Sequence, residues 1–238
     1  METAEERRDL SRKQSELSPQ GALTFRAIPA HFLQWLAASR IMFLEDMKEG
    51  KPLRYFSAHL PVMSTWSGEE PFPVNMTVKG IGLVPKAEYL DDYSDYFEGI
   101  IADARTKPWQ ESLLDRIQAM KRLYGDTDNF DPAMAGGLEI FGGRALENLR
   151  KTPFASLLYV GMAQTEKGME YISFQLNGKV EILGRDSPGY RFLLASRRLF
   201  EFDRFHLFQP DYPFGYLIRV IEVKDKSPWS RATKRNAV

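Results

Sequence analysis

The chain has 238 residues with 32 basic and 32 acidic side chains, so its formal net charge is zero. A neutral balance excludes a general basic surface for nucleic acid. Apolar residues make up 43% and charged residues 27% of the chain, which is the composition of a globular protein with a large buried core. Because the sequence has no cysteine, it can form no disulfide, thiolate metal site or cysteine nucleophile, and a cytoplasmic location is expected.

The first residues are charged and polar, without the apolar segment of a signal peptide. We expect a flexible tail over residues 1–24 and a single domain over residues 25–238. The longest apolar stretch, residues 32–44, is too short to span a bilayer, so no membrane partner is expected.

The N-terminal third predicts a short helix followed by strands. Apolar residues at helical spacing predict a helix over residues 29–39. Two strand-like runs, residues 41–46 and 53–62, predict a hairpin about the turn at Gly50. Residues 66–73 are rich in turn formers and predict a loop, and residues 74–84 alternate as a further strand.

The middle of the chain changes to a helical period. Apolar residues over 87–125 fall on one face of each of two helices, with a restart at Pro108. Residues 126–137 are polar and rich in glycine, and they predict a loop.

The last hundred residues have the clearest pattern. They predict a strand at 138–141, a Gly-Gly turn and a helix over 144–151. Pro153 ends this helix, and a strand follows over 154–162. Strict alternation predicts a half-buried strand over 172–182, and a helix is expected over 188–202. Residues 214–223 predict a final strand that is apolar on both faces.

Few residues indicate chemistry directly. The sequence has no phosphate-binding loop, no dinucleotide fingerprint and no nucleophile elbow. Its three histidines, His31, His59 and His206, have no metal-ligand spacing, so no metal site is expected. His59 is the best candidate among them, since a histidine near a strand end can face a ligand.

The junction at Gly142, Gly143 and Arg144 has a physical argument for binding phosphate. Amides at a helix N-terminus, close backbone approach at glycine and a guanidinium can converge on one anion. The alternative interpretation is a tight turn beside an exposed arginine.

The order of these elements, with the EGKP turn at residues 49–52, the stretch RALENLRKTPFASLLYV and the pattern LNGKVEIL, resembles the pyridoxamine 5'-phosphate oxidase-like, FMN-binding split β-barrel family. The resemblance implies an α+β, mainly β fold: a six-stranded antiparallel split barrel with peripheral helices and a helical insertion at about residues 74–136. Members of that family are usually homodimers with the flavin between the subunits.

The resemblance also implies a cofactor site. Arg144 matches a basic residue that contacts the flavin phosphate, Gly143 stands where serine is common, and Ala145 stands where a second basic residue is often found. The candidate cofactor-binding residues are Arg144, Gly143, Gly142, His59 and Ser57. No catalytic residue is assigned.

The implied function is FMN binding, with an oxidoreductase reaction on a small molecule as the favoured activity. Deazaflavin or haem are alternative cofactors. The alternative function is a cofactor-free barrel that serves as a binding or scaffold protein, with the helical insertion as its docking surface. The insertion could also be a substrate lid or a structural buttress, and the apolar final strand predicts a homodimer unless helices cover it.

Overall fold

The computed structural model describes residues 23–52, 57–68, 71–165, 168–200 and 212–228. Over these residues the chain forms one antiparallel sheet and five α-helices. The strands are β1 (Val62–Trp66), β2 (Val74–Val78), β3 (Ile81–Pro85), β4 (Phe130–Glu139), β5 (Phe154–Thr165), β6 (Gly168–Leu183) and β7 (Phe214–Asp225). The helices are α1 (Ala30–Lys48), α2 (Leu90–Ala104), α3 (Trp109–Tyr124), α4 (Arg144–Lys151) and α5 (Pro188–Arg198). None of these helices is long and apolar enough to cross a membrane.

The seven strands lie in the order β2-β1-β5-β6-β7-β4-β3, and every neighbouring pair is antiparallel. The two edge strands, β2 and β3, are consecutive in the chain and are separated by Lys79 and Gly80 alone. Beyond this bend the Ile81 amide donates to the His59 carbonyl at 2.9 Å, which prolongs the β1–β2 pairing. Ile81 also pairs with Gly137 of β4, so the two edges of the sheet meet at the bend and the sheet curves around its own core.

Two helices pack across the inner side of the sheet at different levels. From α1, Phe32 stacks on Phe174 at 4.0 Å and meets Tyr159 edge-on at 5.3 Å between ring centroids. From α4, the buried Asn148 side chain donates to Thr65 Oγ1 of β1 at 3.1 Å. Thr65 lies beside the start of β5, whereas Tyr159 lies further along it, so α1 and α4 cover opposite ends of the core.

The remaining helices wrap the side formed by β3, β4 and β7. Phe97 of α2 is fully buried and lies 6.0 Å from the Phe192 ring of α5. Arg116 of α3 donates to the Leu199 carbonyl at 2.7 Å, and Lys121 of α3 forms an ion pair with Glu45 of α1. The apolar stripes of both insertion helices therefore pack against the core, with Phe97, Ile117 and Met120 buried and Leu90, Tyr93, Ile100 and Leu113 half-buried.

Several predictions are confirmed. The α+β class and the antiparallel pairing hold, helix α4 has the predicted bounds, and the two predicted helices of the middle region are α2 and α3, of which α3 begins after Pro108. Strands β5, β6 and β7 contain the predicted strands of the last hundred residues. The strand count is seven where six were predicted, because the single strand expected over residues 74–84 is divided at the bend.

The predicted hairpin at residues 41–46 and 53–62 is wrong. Helix α1 continues through Lys48, and residues 53–56 lie outside the described part of the chain. Leu36, Arg40 and Leu44 are buried at a spacing of four, so the helical face extends through the stretch interpreted as a strand. The hairpin of this region is β1–β2, and Gly50, with φ +66°, instead follows the end of α1.

The predicted polar loop at residues 126–137 is also wrong, since β4 begins at Phe130. Its glycines are packing positions: a Cβ on Gly137 would lie 2.0 Å from the Gly80 carbonyl oxygen. Within the predicted insertion at about 74–136, β2, β3 and most of β4 belong to the sheet. The two helices and their 3-10 turns lie between Lys86 and Asn129.

Candidate functional site

A buried charged cluster lies where the bend between β2 and β3 faces the end of β4. It consists of Lys79, Glu139 and Tyr216, and we call it the Glu139 cluster. Lys79 Nζ donates to Glu139 Oε2 at 2.7 Å, and the Tyr216 hydroxyl donates to the same oxygen. The Glu139 side chain is fully buried and that of Lys79 is 12% exposed. These side chains share the inner face of the sheet, because Ile81 and Tyr216 both pair with Gly137.

The other oxygen of the same carboxylate holds the adjoining turn. Glu139 Oε1 accepts hydrogen bonds from the backbone amides of Phe141 and Gly142, both at 3.1 Å. Gly142 has φ +65°, a conformation that favours glycine. The carboxylate therefore links the turn that precedes α4 to the interior of the sheet.

The electrostatics of the cluster suit a fixed ion pair. Burial opposes ionisation of Glu139, but the hydrogen bonds from Lys79 and Tyr216 outweigh burial and hold the pKa of Glu139 below its ordinary value. Burial and the hydrogen bond to Glu139 raise the pKa of Tyr216. At neutral pH Glu139 is thus an acceptor only and Tyr216 a donor, which is the arrangement of a fixed ion pair with a supporting hydroxyl.

Three of the predicted site residues form the exposed part of this turn. Gly142, Gly143 and Arg144 all face solvent, and no atom beyond the neighbouring residues lies within 4 Å of a Cβ built on either glycine. The first amides of α4 follow directly, and the Gly143 carbonyl already accepts from Leu146 at 2.9 Å. An anion could approach this backbone closely, with the Arg144 guanidinium beside it.

Two features restrict how an anion could bind at this turn. Ala145 is 5% exposed, so a basic side chain in its place could not lie at the surface without a local change. The Phe141 and Gly142 amides already donate to Glu139. Phosphate would therefore contact Arg144 and the backbone from Gly143 onward.

His59 lies in the turn before β1, on the other side of the bend from the Glu139 cluster. Its Nε2 atom lies 3.9 Å from a Cβ built on Gly80. It lines a cavity of about 10 Å³, the space of about one water molecule, under α1. The cavity is too small for a flavin ring, and its walls include the buried Arg40, Tyr124 and Tyr159.

Ser57 supports the sheet at a distance from Arg144. Its buried hydroxyl accepts a hydrogen bond from the Val160 amide of β5 at 2.7 Å. Val160 lies six residues after Phe154, which is roughly 20 Å along an extended strand from the end of α4. The structure therefore brings Gly142, Gly143 and Arg144 together and places Ser57 apart from them, beside the middle of β5.

Sequence reasoning missed Lys79, Glu139 and Tyr216 as parts of the site. A weak signal was present at Glu139, which interrupts an apolar strand, whereas Lys79 falls at a polar position of the alternating residues 74–79 and gives no signal. A charge at a buried strand position needs a partner. The partners are 60 residues apart in the chain, so no local motif could identify the pair.

A second feature is an apolar surface on the outer side of β2, β1, β5 and β6, which we call the bare face. The strand register puts its members on one side, since Trp66 pairs with Val74 and Met162 pairs with Tyr171. Large apolar patches of this kind mark interaction surfaces. Its side chains are between 39% and 65% exposed: Trp66, Val74, Met76, Val78, Val160, Met162, Met169 and Tyr171.

The outer side of β7 is not open in the way that the apolar pattern predicted. A Cβ on Gly215 would lie 3.3 Å from Leu193 and 3.4 Å from Tyr190, both in α5. Helix α5 therefore covers the first part of β7. A dimer interface is better sought on the bare face.

No protein-family model and no curated protein matches the sequence. The structure is similar to that of an FMN-binding protein from Syntrophomonas wolfei subsp. wolfei, with 8% identity, a TM-score of 0.40 and coverage of 83% of this chain and 92% of that one. It is also similar to HupZ of group A Streptococcus, with 10% identity, a TM-score of 0.38 and coverage of 77% and 94%. A pyridoxamine 5'-phosphate oxidase-like protein of Listeria innocua matches with 9% identity, a TM-score of 0.37 and coverage of 80% and 98%.

Proposed function

We propose that this chain is an FMN-binding protein of the split-barrel type that binds the flavin phosphate at Gly143 and Arg144. The observation that carries the proposal is the turn before α4: open space in front of two glycines, an exposed arginine residue after them and a buried carboxylate that holds the backbone in place. If β2 and β3 are counted as one bent strand, the sheet has the six strands of such a barrel.

Bound FMN would supply hydride transfer at its ring, and the favoured activity is an oxidoreductase reaction on a small molecule. In this role Arg144 and the first amides of α4 bind the phosphate, and Glu139 holds their backbone in place. We assign no acid or base to this reaction. Deazaflavin and haem stay alternative cofactors for the same test.

Arg144→Ala tests the phosphate contact directly. A charge-assisted hydrogen bond to phosphate is worth about 1.5 to 3 kcal/mol, so the FMN dissociation constant should rise about ten- to a hundredfold. Lys151→Ala is the matched control, because it removes the same charge from an exposed position at the other end of α4. Equal FMN affinity in Arg144→Ala and the unmodified protein would refute the assignment.

We further propose that two copies of the chain associate through the bare face. Eight large, exposed apolar side chains on one sheet surface are the composition expected for the core of an obligate interface. Sedimentation equilibrium at micromolar concentration should give a dimer, and a monomer at that concentration would contradict it.

The alternative is a cofactor-free barrel that acts as a binding or scaffold protein. The observation in its favour is that two amides of the turn already donate to Glu139 and that Ala145 stands where a second basic residue is often found. The apolar stripes of the insertion helices pack against the core, so these helices offer less apolar surface to a partner than the bare face does. A colourless preparation that takes up neither FMN, deazaflavin nor haem would favour this alternative, whereas a yellow preparation with flavin absorbance would favour the first.

A further inference from the structure

We propose that Glu139 is the positioning residue of the phosphate-binding turn, and that it fixes the turn to the interior of the sheet through the two oxygens of one carboxylate. The proposal rests on the proposed FMN site. The proposal goes beyond that site, because it makes the affinity of the turn for phosphate depend on a residue that would not touch the ligand.

The contacts divide cleanly between the two oxygens. Oε1 accepts from the Phe141 and Gly142 amides at 3.1 Å, and these amides belong to the turn. Oε2 accepts from Lys79 Nζ at 2.7 Å and from the Tyr216 hydroxyl, and these donors belong to the bend and to β7. A single rigid group thus joins the turn to two strands of the sheet.

The turn has little other means of holding its shape. Phe141 is 64% exposed, so its side chain adds little packing. Gly142 adopts φ +65° and Gly143 φ −86°, and glycine backbone is free to adopt other conformations when it is not held. The direction of the Gly143 and Arg144 amides therefore depends on the two hydrogen bonds to Glu139.

Charge and position predict opposite results when Glu139 is neutralised. On Coulomb's law alone, removing a negative charge near a bound phosphate tightens FMN binding. If Glu139 acts by position, Glu139→Gln loosens FMN binding, because the NH2 group of glutamine must face either the turn amides or Lys79 Nζ, and all of these are donors. The sign of the change therefore separates the two explanations.

The experiment compares FMN with riboflavin, which has the same ring and no phosphate. In Glu139→Gln we expect FMN affinity to fall about tenfold and riboflavin affinity to stay within twofold of the unmodified protein. Tyr216→Phe is the matched control: it removes one contact to Oε2, keeps the contacts to Oε1 and leaves the net charge unchanged, so both affinities should stay within twofold. FMN binding that is unchanged or tighter in Glu139→Gln overturns the proposal, as does an equal loss for both ligands.

A second variant covers the case in which Glu139→Gln fails to fold. Glu139→Asp keeps the charge that Lys79 needs but is one methylene shorter, so it cannot reach the turn and the strands together. We expect the same selective loss of FMN affinity from this variant, and unchanged FMN affinity overturns the proposal.

Hydrogen exchange separates this inference from the proposed function. In ligand-free protein, the Phe141 and Gly142 amides should exchange at least about tenfold faster in Glu139→Gln or Glu139→Asp than in Tyr216→Phe. If the unmodified protein binds neither FMN nor riboflavin, the proposed function fails, while exchange still tests whether Glu139 holds the turn. Equal exchange rates at these amides in all variants overturn the proposal.

Discussion

Two parts of the outer surface of the sheet differ in whether helices cover them. The side formed by β3, β4 and β7 is wrapped by α2 and α5, and Phe97 of α2 reaches the Phe192 ring with no exposure to solvent. The bare face is formed by β2, β1, β5 and β6, and its apolar side chains are between 39% and 65% exposed. Both sides are apolar in sequence, yet one is buried within the chain and the other is not.

The difference shows that apolar surface serves two purposes in this molecule. On the wrapped side it stabilises the fold of a single chain, so changes there should alter the free energy of unfolding. On the bare face the apolar side chains are exposed, so changes there should have little effect on unfolding and, under the proposed dimer, should alter the oligomeric state. Matched substitutions on the two sides test this division.

The largest expected effect is on the wrapped side. Phe97→Ala removes a fully buried ring that packs on Phe192 and should lower the free energy of unfolding by about 3 to 5 kcal/mol. Tyr171→Ala, on the bare face, removes a ring that is 65% exposed and should change it by less than about 0.5 kcal/mol. Urea unfolding at low protein concentration measures both, and similar losses in the two variants would contradict the division.

The next effect is on association. Met162→Lys places a charge on the bare face and should raise the dimer dissociation constant about ten- to a hundredfold, since burying an unpaired ammonium is costly. Leu114→Lys is the control, because Leu114 is similarly exposed, at 53%, but lies on α3 outside this face. Sedimentation across a concentration series measures the constant, and an equal response in both variants would show that the bare face is not the interface.

A smaller effect is expected at the turn before α4. Gly142→Ala should destabilise the chain by about 1 kcal/mol, because φ +65° is strained for any residue with a Cβ. Gly143→Ala is a close control, since its φ is −86° and its surroundings are equally open, so it should be neutral or slightly stabilising. Thermal unfolding of the two variants provides the comparison. If Gly143→Ala also destabilises the chain by about 1 kcal/mol, the cause is crowding around the added methyl group and not the backbone conformation of Gly142.

The smallest effect concerns pH at the Glu139 cluster, where the edges of the sheet meet. The pKa of Glu139 is lower in the folded chain than its ordinary value of 4.5, so its ionised form stabilises the fold above that pH. This contribution is lost as the pH falls through the folded value. Unfolding measured between pH 7 and pH 3 should therefore show a loss of stability on acidification that is smaller in Glu139→Gln. If the free energy of unfolding changes equally with pH in the two proteins, the Glu139 carboxylate is not the source of the pH dependence.

The sequence predicted those elements whose signals are local. Arg144 through Pro153 combines a helical face with a proline stop, and the alternation around Gly178 defines β6, so α4, β5 and β6 were found. The continuation of α1 was missed because Ile41 to Leu44 is a continuous apolar run, which a strand and a buried helix share. Its helical identity depends on packing across the core, where Leu44 is fully buried.

The elements that were missed depend on distant partners. Strand β4 looks like a loop because it is rich in glycine, yet Gly136 and Gly137 are required where β3, β7 and α5 come close. The site is divided in the same way. Arg144 and its glycines were recognisable from a short junction, whereas the Lys79–Glu139 pair joins residues 60 positions apart and becomes visible only once β3 lies beside β4.

The two ends of the helical excursion between β3 and β4 lie side by side, because the Lys86 amide donates to the Asn129 carbonyl at 2.9 Å. In topological terms β3 and β4 are a hairpin with α2 and α3 inserted at its tip. The entropy of closing such a loop grows only slowly with its length, so extra residues between α2 and α3 would leave the strand register unchanged at small cost. The exposed stretch around Thr106 and Lys107 is accordingly the place at which this chain could accept a grafted domain or be reopened with new termini.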